Sequence, residues 1–258
     1  MTEVQATPGQ GTQMIDRTVS LVRLVATYCP KGARLTDLAK ESGLPAPTAR
    51  RILKRLVEHG VIAQDESQHR YTLGRFAYEL GLSTNQITRD AARFRPLVEE
   101  LASVTQATIY LLLRSGLDSI CVDRVDAGAN HKCPTLKIGD RLPLGVGVGG
   151  MALLAALPED EAERIIAANA PVYGRFVRTT GSRFREHLEA ARRDGYVVRR
   201  SPVTPGIVGF GLALSTLGGP AHVAVSGATE AANFAEPRRS AAVAKMRELA
   251  DRHLAVRA

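Results

Sequence analysis

Thr48, Arg50, Arg51, Lys54 and Arg55 fall within about two turns of one expected helix, and their side chains suit contact with a polyanion. Ala49, Ile52, Leu53 and Leu56 follow the i, i+3, i+4, i+7 spacing of a buried stripe, so the cations face solvent or a ligand. Like charges on neighbouring turns repel by a few tenths of a kcal/mol per pair, and Glu58 offsets little of that. Duplex DNA, with about one charge per 1.7 Å of axis, would relieve the repulsion. A solvated basic face has the same pattern, so the helix alone leaves both readings open.

The elements around this helix favour DNA. Residues 35–39 (Leu-Thr-Asp-Leu-Ala) open a short helix for which Thr36 is the expected cap, and Gly43 is placed to end it. Pro45 and Pro47 fit a tight turn and a first helical position, and a second helix is expected over 48–59, stopped by Gly60. Two helices joined by so short a turn make a helix-turn-helix. Residues 61–63 and 70–73 read as two strands around the polar turn 65–68, a hairpin that would form a wing. His69 and Arg70 sit where a wing meets phosphate or the minor groove; for His69 an exposed turn residue is the other reading.

The wider chain is compatible with an anionic partner. It has 258 residues and a formal net charge of +8, which favours anions without choosing among nucleic acid, anionic lipid and acidic metabolites. No run approaches the ~18 apolar residues of a membrane span. Residues 1–13 are polar, lack the apolar core of a secretory signal, and read as a disordered tail. The three cysteines, Cys29, Cys121 and Cys133, have no C-x-x-C spacing, so neither a disulfide framework nor a zinc cluster is expected and a reducing cytoplasm fits.

A first helix is expected over 15–28, completing a three-helix head. Residues 75–82 read as a short helix whose Phe76, Tyr78 and Leu80 either meet the same helix of a second subunit or cap their own domain. Beyond a polar boundary, the chain alternates helical and β-rich runs: helix 94–104, strands 107–113 and 119–125 around a hairpin turn, a strand at 133–138, and helices at 150–156, 159–168 and 182–194. Strands at 196–198, 206–214 and 221–225 and a closing helix at 242–255 follow. Hairpin-joined strands with helices between them suggest an antiparallel α+β sandwich.

No catalytic constellation and no cofactor or metal site is expected. The six histidines, His59, His69, His131, His187, His222 and His253, are scattered without a Cys, Ser or carboxylate at a recognisable spacing. Gly145, Gly147 and Gly150 formally fit G-x-G-x-x-G, the alternative of a nucleotide-dependent enzyme. However, Pro143 sits where the preceding strand should end and no acid lies about 20 residues beyond. A ligand-binding or assembly module without a DNA role is the second alternative, and the basic helix argues against it.

The chain resembles the IclR family of bacterial transcription regulators. The head carries the resemblance at 35–39, 42–45, 48–53 and 71–74, and the body at 122–125 (Val-Asp-Arg-Val), 138–144 (Ile-Gly-Asp-Arg-Leu-Pro-Leu), 195–196 and 225–227. The resemblance implies a winged helix-turn-helix at 14–74, a linker helix and boundary at 75–89, and a GAF-like antiparallel-sheet effector domain at 90–258. It implies double-stranded operator DNA, a small effector, and a homodimer or tetramer as partners; no membrane is expected, and the N–H groups near Val148 and Gly149 with the Ser226 hydroxyl beside apolar walls favour a small organic acid as the effector.

The family's effector pocket lies between the loop after Leu142-Pro143-Leu144 and the C-terminal strands. Carried over, it comprises Val146, Gly147, Val148, Gly149, Ile207, Gly209, Phe210 and Ser226. Family members usually place a His, then Ser or Thr, then Gly-Lys in that loop; here Gly145, Gly147 and Gly150-Met151 stand instead. Arg199-Arg200-Ser201 replaces a usual acidic run, Gly209 a frequent Cys and Ala224 a common Ser. The expected pocket is therefore glycine-rich and apolar. Arg199 either holds a carboxylate bidentately or is a surface arginine.

Overall fold

The computed structural model describes residues 10–29, 31–83, 85–126, 136–176, 181–202, 204–214 and 221–255. Residues 1–9 of the tail expected at 1–13, His131 and Cys133 lie outside the described residues. The chain divides between Thr88 and Arg89 into two compact units.

The first unit contains α1 (Gln10–Thr27), β1 (Ala33–Arg34), α2 (Leu35–Ser42), α3 (Ala46–Glu58), β2 (Ile62–Asp65), β3 (Arg70–Leu73) and α4 (Arg75–Ser83). Leu21, Val25, Leu38, Ala49, Leu53, Ile62 and Tyr71 form its core. The predicted α3 stripe is therefore the buried one, with Leu56 packed at its margin. Gly43 ends α2 at φ 67°, a left-handed conformation that glycine adopts without steric cost. The small sheet runs β1-β3-β2.

Three expectations shift. α1 starts at Gln10, inside the stretch expected to be tail, because adding polar residues to a formed helix needs one hydrogen bond per residue fixed. Thr36 does not cap α2: the helix begins one residue earlier, and the Arg34 backbone N–H donates to Asp37 Oδ2 at 3.4 Å. The two-residue strand β1, absent from the sequence reading, is held by antiparallel pairing of Ala33 with Tyr71.

The second unit carries α5 (Asn85–Thr105, which begins before the division), β4 (Thr108–Ser115), β5 (Asp118–Val125), β6 (Arg141–Pro143), α6 (Gly147–Ala155) and α7 (Glu159–Tyr173). α8 (Gly181–Asp194), β7 (Val197–Arg200), β8 (Ile207–Leu214), β9 (Val223–Glu230) and α9 (Arg238–Ala255) complete it. Of the strand expected at 133–138, residues 133–135 lie outside the described residues and 136–138 are not strand; β6 pairs with Asp118, Ser119 and Ile120 of β5.

The sheet runs β6-β5-β4-β9-β8-β7, antiparallel at every pairing. Both faces are covered. Ile109, Leu111, Phe210, Leu212 and Val225 pack with α5 and α9 on one face. Tyr110, Leu112, Ala224 and Ala228 pack with α6, α7 and α8 on the other. This explains why β4 and β9 read as continuous apolar runs, since a strand buried on both faces has no polar side to alternate with. No helix among the described residues is long and apolar enough to cross a membrane.

Candidate functional site

The first candidate surface is the outer face of α3. Arg50, Arg51, Lys54 and Arg55 are exposed and Thr48 is half-buried. Arg55 pairs with Glu58 one turn on and approaches His59 Nε2 at 3.4 Å. Arg50, Arg51 and Lys54 have no carboxylate partner among the described residues. Uncompensated cations on a rigid helix that buries Ala49, Ile52 and Leu53 form a fixed cationic ridge.

The wing beside it is ordered by Asp65. Its Oδ1 accepts from the Ser67 hydroxyl at 2.6 Å, the Ser67 N–H at 2.9 Å and the Gln68 N–H at 3.0 Å. The Ser67 bond, then that from Gln68, holds the Asp65 carboxyl below its ordinary pKa. His69 follows at φ 53° and is exposed. Arg70 is committed elsewhere: its Nη1 donates to the Gly32 carbonyl at 2.7 Å, because pairing of β3 with β1 brings that carbonyl over it. Thr36 is exposed on α2.

The second candidate is a cavity of about 90 Å³ in the second unit. Its walls are the start of α6, β8 at Ile207 and Gly209, and β9 at Ser226 to Ala228. Seven of the eight expected pocket residues line it: Val146, Gly147, Val148, Gly149, Ile207, Gly209 and Ser226. Phe210 does not. Side chains alternate along a strand, so Ile207 and Gly209 face the cavity while Phe210 points through the sheet. There it stacks on Phe234 at 4.8 Å between ring centroids, over Gly227.

Two close approaches shape this wall. A Cβ on Gly149 would meet Leu112 Cδ1 at 2.1 Å, and one on Gly209 would meet the Val148 side chain at 2.9 Å. The glycines therefore let α6 lie directly on the sheet; their missing side chains are replaced by neighbours, and the cavity opens beside them. The α6 N-terminus has no side-chain cap, so its first N–H groups are available to an acceptor.

Sequence reading missed Tyr110, Ser119, Asp140 and Thr204, which also line the cavity. Register places Tyr110 opposite Ser226, so the alternation of β4 carried a usable signal once that pairing was known. Asp140 puts a carboxylate in the lining, its Oδ2 accepting the Lys137 N–H at 2.7 Å.

Arg199 fits neither expected reading. Its guanidinium lies behind the α6 loop, with Nη2 donating to the carbonyls of Gly145 at 2.9 Å and Gly147 at 3.0 Å. Burial pulls its pKa down to about 10, leaving it charged at neutral pH. The arginines of the body motifs are structural instead. Asp123 accepts from Arg95 Nη1 at 2.7 Å and from the Arg124 N–H at 2.8 Å. Arg124 reaches Asp126 and the Leu136 carbonyl, and Arg141 pairs with Asp118 at 3.0 Å.

Among the described residues no group of three metal-ligating side chains comes together. The glycine loop does not sit in a nucleotide-binding βαβ unit: the preceding β6 is a three-residue edge strand of an antiparallel sheet.

Residues 84–253 match the family model for the bacterial transcriptional regulator IclR C-terminal region, and residues 14–66 match the IclR helix-turn-helix domain. The chain is 28% identical over 221 residues to an HTH-type transcriptional regulator of Mycobacterium tuberculosis, covering 82% of this chain and 80% of that one. It is 25% identical over 197 residues to the transcriptional repressor IclR of Escherichia coli, covering 75% and 71%. The crystal structure of an IclR transcriptional regulator from Alicyclobacillus acidocaldarius has the same fold, with a TM-score of 0.75 at 19% identity over 94% of this chain and 98% of that one. So does an IclR homolog from Microbacterium hydrocarbonoxydans complexed with 4-hydroxybenzoate, with a TM-score of 0.73 at 21% identity over 94% and 98%.

Proposed function

We propose that this chain, which belongs to the IclR family of bacterial transcriptional regulators and is not an enzyme, reads operator DNA through α3 and that a small organic acid in the cavity shifts that binding. The uncompensated cations of α3 are the observation that carries the DNA assignment. Thr48 and Arg51 are assigned to base edges, and Arg50, Lys54 and Arg55 to phosphates. His69 is assigned to phosphate or the minor groove from the wing. Thr36, exposed on α2, is assigned to the DNA backbone, while Arg70 acts by bracing the wing against Gly32.

Dimerisation is assigned to α4. The helix buries no residue, and Phe76, Tyr78, Leu80 and Leu82 are all exposed. So dense an apolar surface on one short helix favours a partner over a cap on its own domain. A symmetric dimer would read a pseudo-palindromic site. Cytoplasmic residence follows from this role.

The ligand class rests on the two ends of the cavity. Free N–H groups at the α6 N-terminus and the Ser226 hydroxyl favour a carboxylate. Asp140 repels a carboxylate but accepts from a hydroxyl, and Leu112, Val146, Val148 and Ile207 favour an apolar or aromatic body. A small hydroxy acid meets all three demands, and the 4-hydroxybenzoate complex of the Microbacterium hydrocarbonoxydans homolog supports that class.

The test is titration of an in-vitro-selected operator duplex with this protein, with and without 4-hydroxybenzoate and a panel of aliphatic and aromatic acids. An acid of this class should change operator affinity by an amount equivalent to roughly 1–3 kcal/mol. Ala228→Leu, which fills the cavity from β9, should remove the response while leaving operator binding intact. If no acid in the panel alters the wild-type affinity, the effector assignment fails and the DNA assignment stands.

A further inference from the structure

A second cavity, of about 450 Å³, lies between α8 and α9 along the β7 edge. His187, Ala190, Ala191 and Asp194 form its α8 wall at the i, i+3, i+4, i+7 spacing of one helix face. The α9 wall includes Arg239, Ser240, Ala244 and Arg247, and β7 contributes Val198 and Arg199.

The carboxylates of this groove are already engaged. Glu236 accepts from Arg239 Nε at 2.8 Å and from the Ser240 hydroxyl at 2.8 Å. Asp194 pairs with Arg193 at 3.0 Å. Arg247 lies over the Tyr196 ring at 4.7 Å and donates to the Asp194 carbonyl.

Arg199 has no such compensation. Nη2 is held by two neutral carbonyls, and the buried Nε has no acceptor. Nη1 likewise meets no acceptor among the described residues, and the side chain lines the groove. A largely desolvated guanidinium without a counter-ion is costly. His187 stands beside it, its pKa lowered first by burial and then by the Arg199 charge; Arg183 adds to that and Glu186 opposes it. On the α9 side the charged neighbours are Glu236 and Arg239, which neutralise each other, and Arg247, which is turned onto the Tyr196 ring and the Asp194 carbonyl.

We propose that this groove is a binding site for a small oxyanion, a carboxylate or a phosphate, held between Arg199 and His187. It is separate from the cavity at α6. The anion supplies the counter-charge that Arg199 lacks and takes charge-assisted hydrogen bonds from Nη1 and from protonated His187. Ala190, Val198 and Ala244 leave room for a short apolar body on a carboxylate.

Calorimetric titration of the full chain with sodium sulfate at constant ionic strength, with the His187 imidazole followed by NMR, tests this. Sulfate keeps its charge across neutral pH, so any pH dependence belongs to the protein. The expected result is saturable binding that tightens as pH falls through the lowered His187 pKa, with that pKa rising when the site is filled. The His187 signal separates this groove from the cations of α3.

Ala244→Glu places a carboxylate in the groove on an exposed helical position, leaving Arg199 and the α6 loop untouched. It should weaken sulfate binding about tenfold or more, equivalent to about 1.4 kcal/mol. Competition by benzoate would identify a carboxylate ligand with an apolar body; competition by inorganic phosphate without benzoate would identify a phosphate. Binding that fails to saturate, a His187 resonance that does not move, or Ala244→Glu binding sulfate as wild type would each overturn the proposal.

Discussion

The arginines of α3 and those of the sheet domain are alike in sequence and opposite in circumstance. Arg50 and Arg51 are exposed on a helix whose other face is core, with no carboxylate beside them among the described residues. Arg95, Arg114 and Arg141 each reach a carboxylate on another element of the sheet domain, Asp123, Glu161 and Asp118, and Arg124 pairs with Asp126 two residues on. The first set presents charge outward, whereas the second closes the fold. Arg199 belongs to neither, being half-buried and held by carbonyls alone. Net charge therefore says less about partners than which cations lack an internal partner.

The largest effect that would sharpen this contrast is on stability. Asp123→Ala leaves Arg95 Nη1 and the Arg124 N–H without their acceptor beside a covered sheet, while Arg95 Nε keeps Glu99. It should destabilise the sheet domain by roughly 1–3 kcal/mol. Chemical denaturation followed in the second unit measures it; an unchanged midpoint would place these arginines with the outward-facing set.

The contrast was half legible in the sequence. The α3 stripe and its cations lie within one helix, where a period of 3.6 residues fixes which side chains share a face, and the structure keeps that division. The pairs Arg95–Asp123 and Arg114–Glu161 join residues distant in the chain, and no local period encodes them. The same limit explains the pocket. Its α6 loop is legible from the family pattern, whereas Phe210 cannot share a face with Ile207 and Gly209 because side chains alternate along β8, and which of the two faces the cavity is fixed only by pairing with β9. Tyr110 is missed because it reaches the cavity through its cross-strand partner Ser226, and Asp140 because it sits in a turn that the distant Cys121 N–H holds through its carbonyl. Thr36 was misjudged as a cap because the two-residue strand β1, which ends at Arg34, carries too little sequence to be seen.

A smaller effect concerns salt. Lys54→Ala should weaken binding to all duplexes about equally and reduce the slope of log affinity against log salt by about 1. Arg55→Ala should change that slope less, because Glu58 already shares its charge. Equal slopes for the two variants would mean that internal pairing does not decide which cation meets phosphate.

The smallest concerns Cys121. Burial pushes its thiol up to about 12, so the folded state favours the protonated form. Its contribution to stability is complete below the ordinary thiol pKa and declines as pH rises from about 9 toward 12. Ellman's reagent at mildly alkaline pH should modify Cys121 only at the rate of unfolding, and rapid modification in the native state would contradict the packing assigned to β5.

The most direct measurement sets Arg51 against Arg114. Wild type, Arg51→Ala and Arg114→Ala are titrated against one operator duplex selected on the wild type and against single-base variants of it, with thermal stability recorded in parallel. Arg51→Ala should lose operator affinity equivalent to about 1–3 kcal/mol and relax its preference at one base pair, with stability unchanged. Arg114→Ala should keep the wild-type affinity per folded molecule and lose stability, because its partner Glu161 is internal. Arg51→Ala footprinting as tightly and selectively as wild type would contradict the assignment of α3 to DNA.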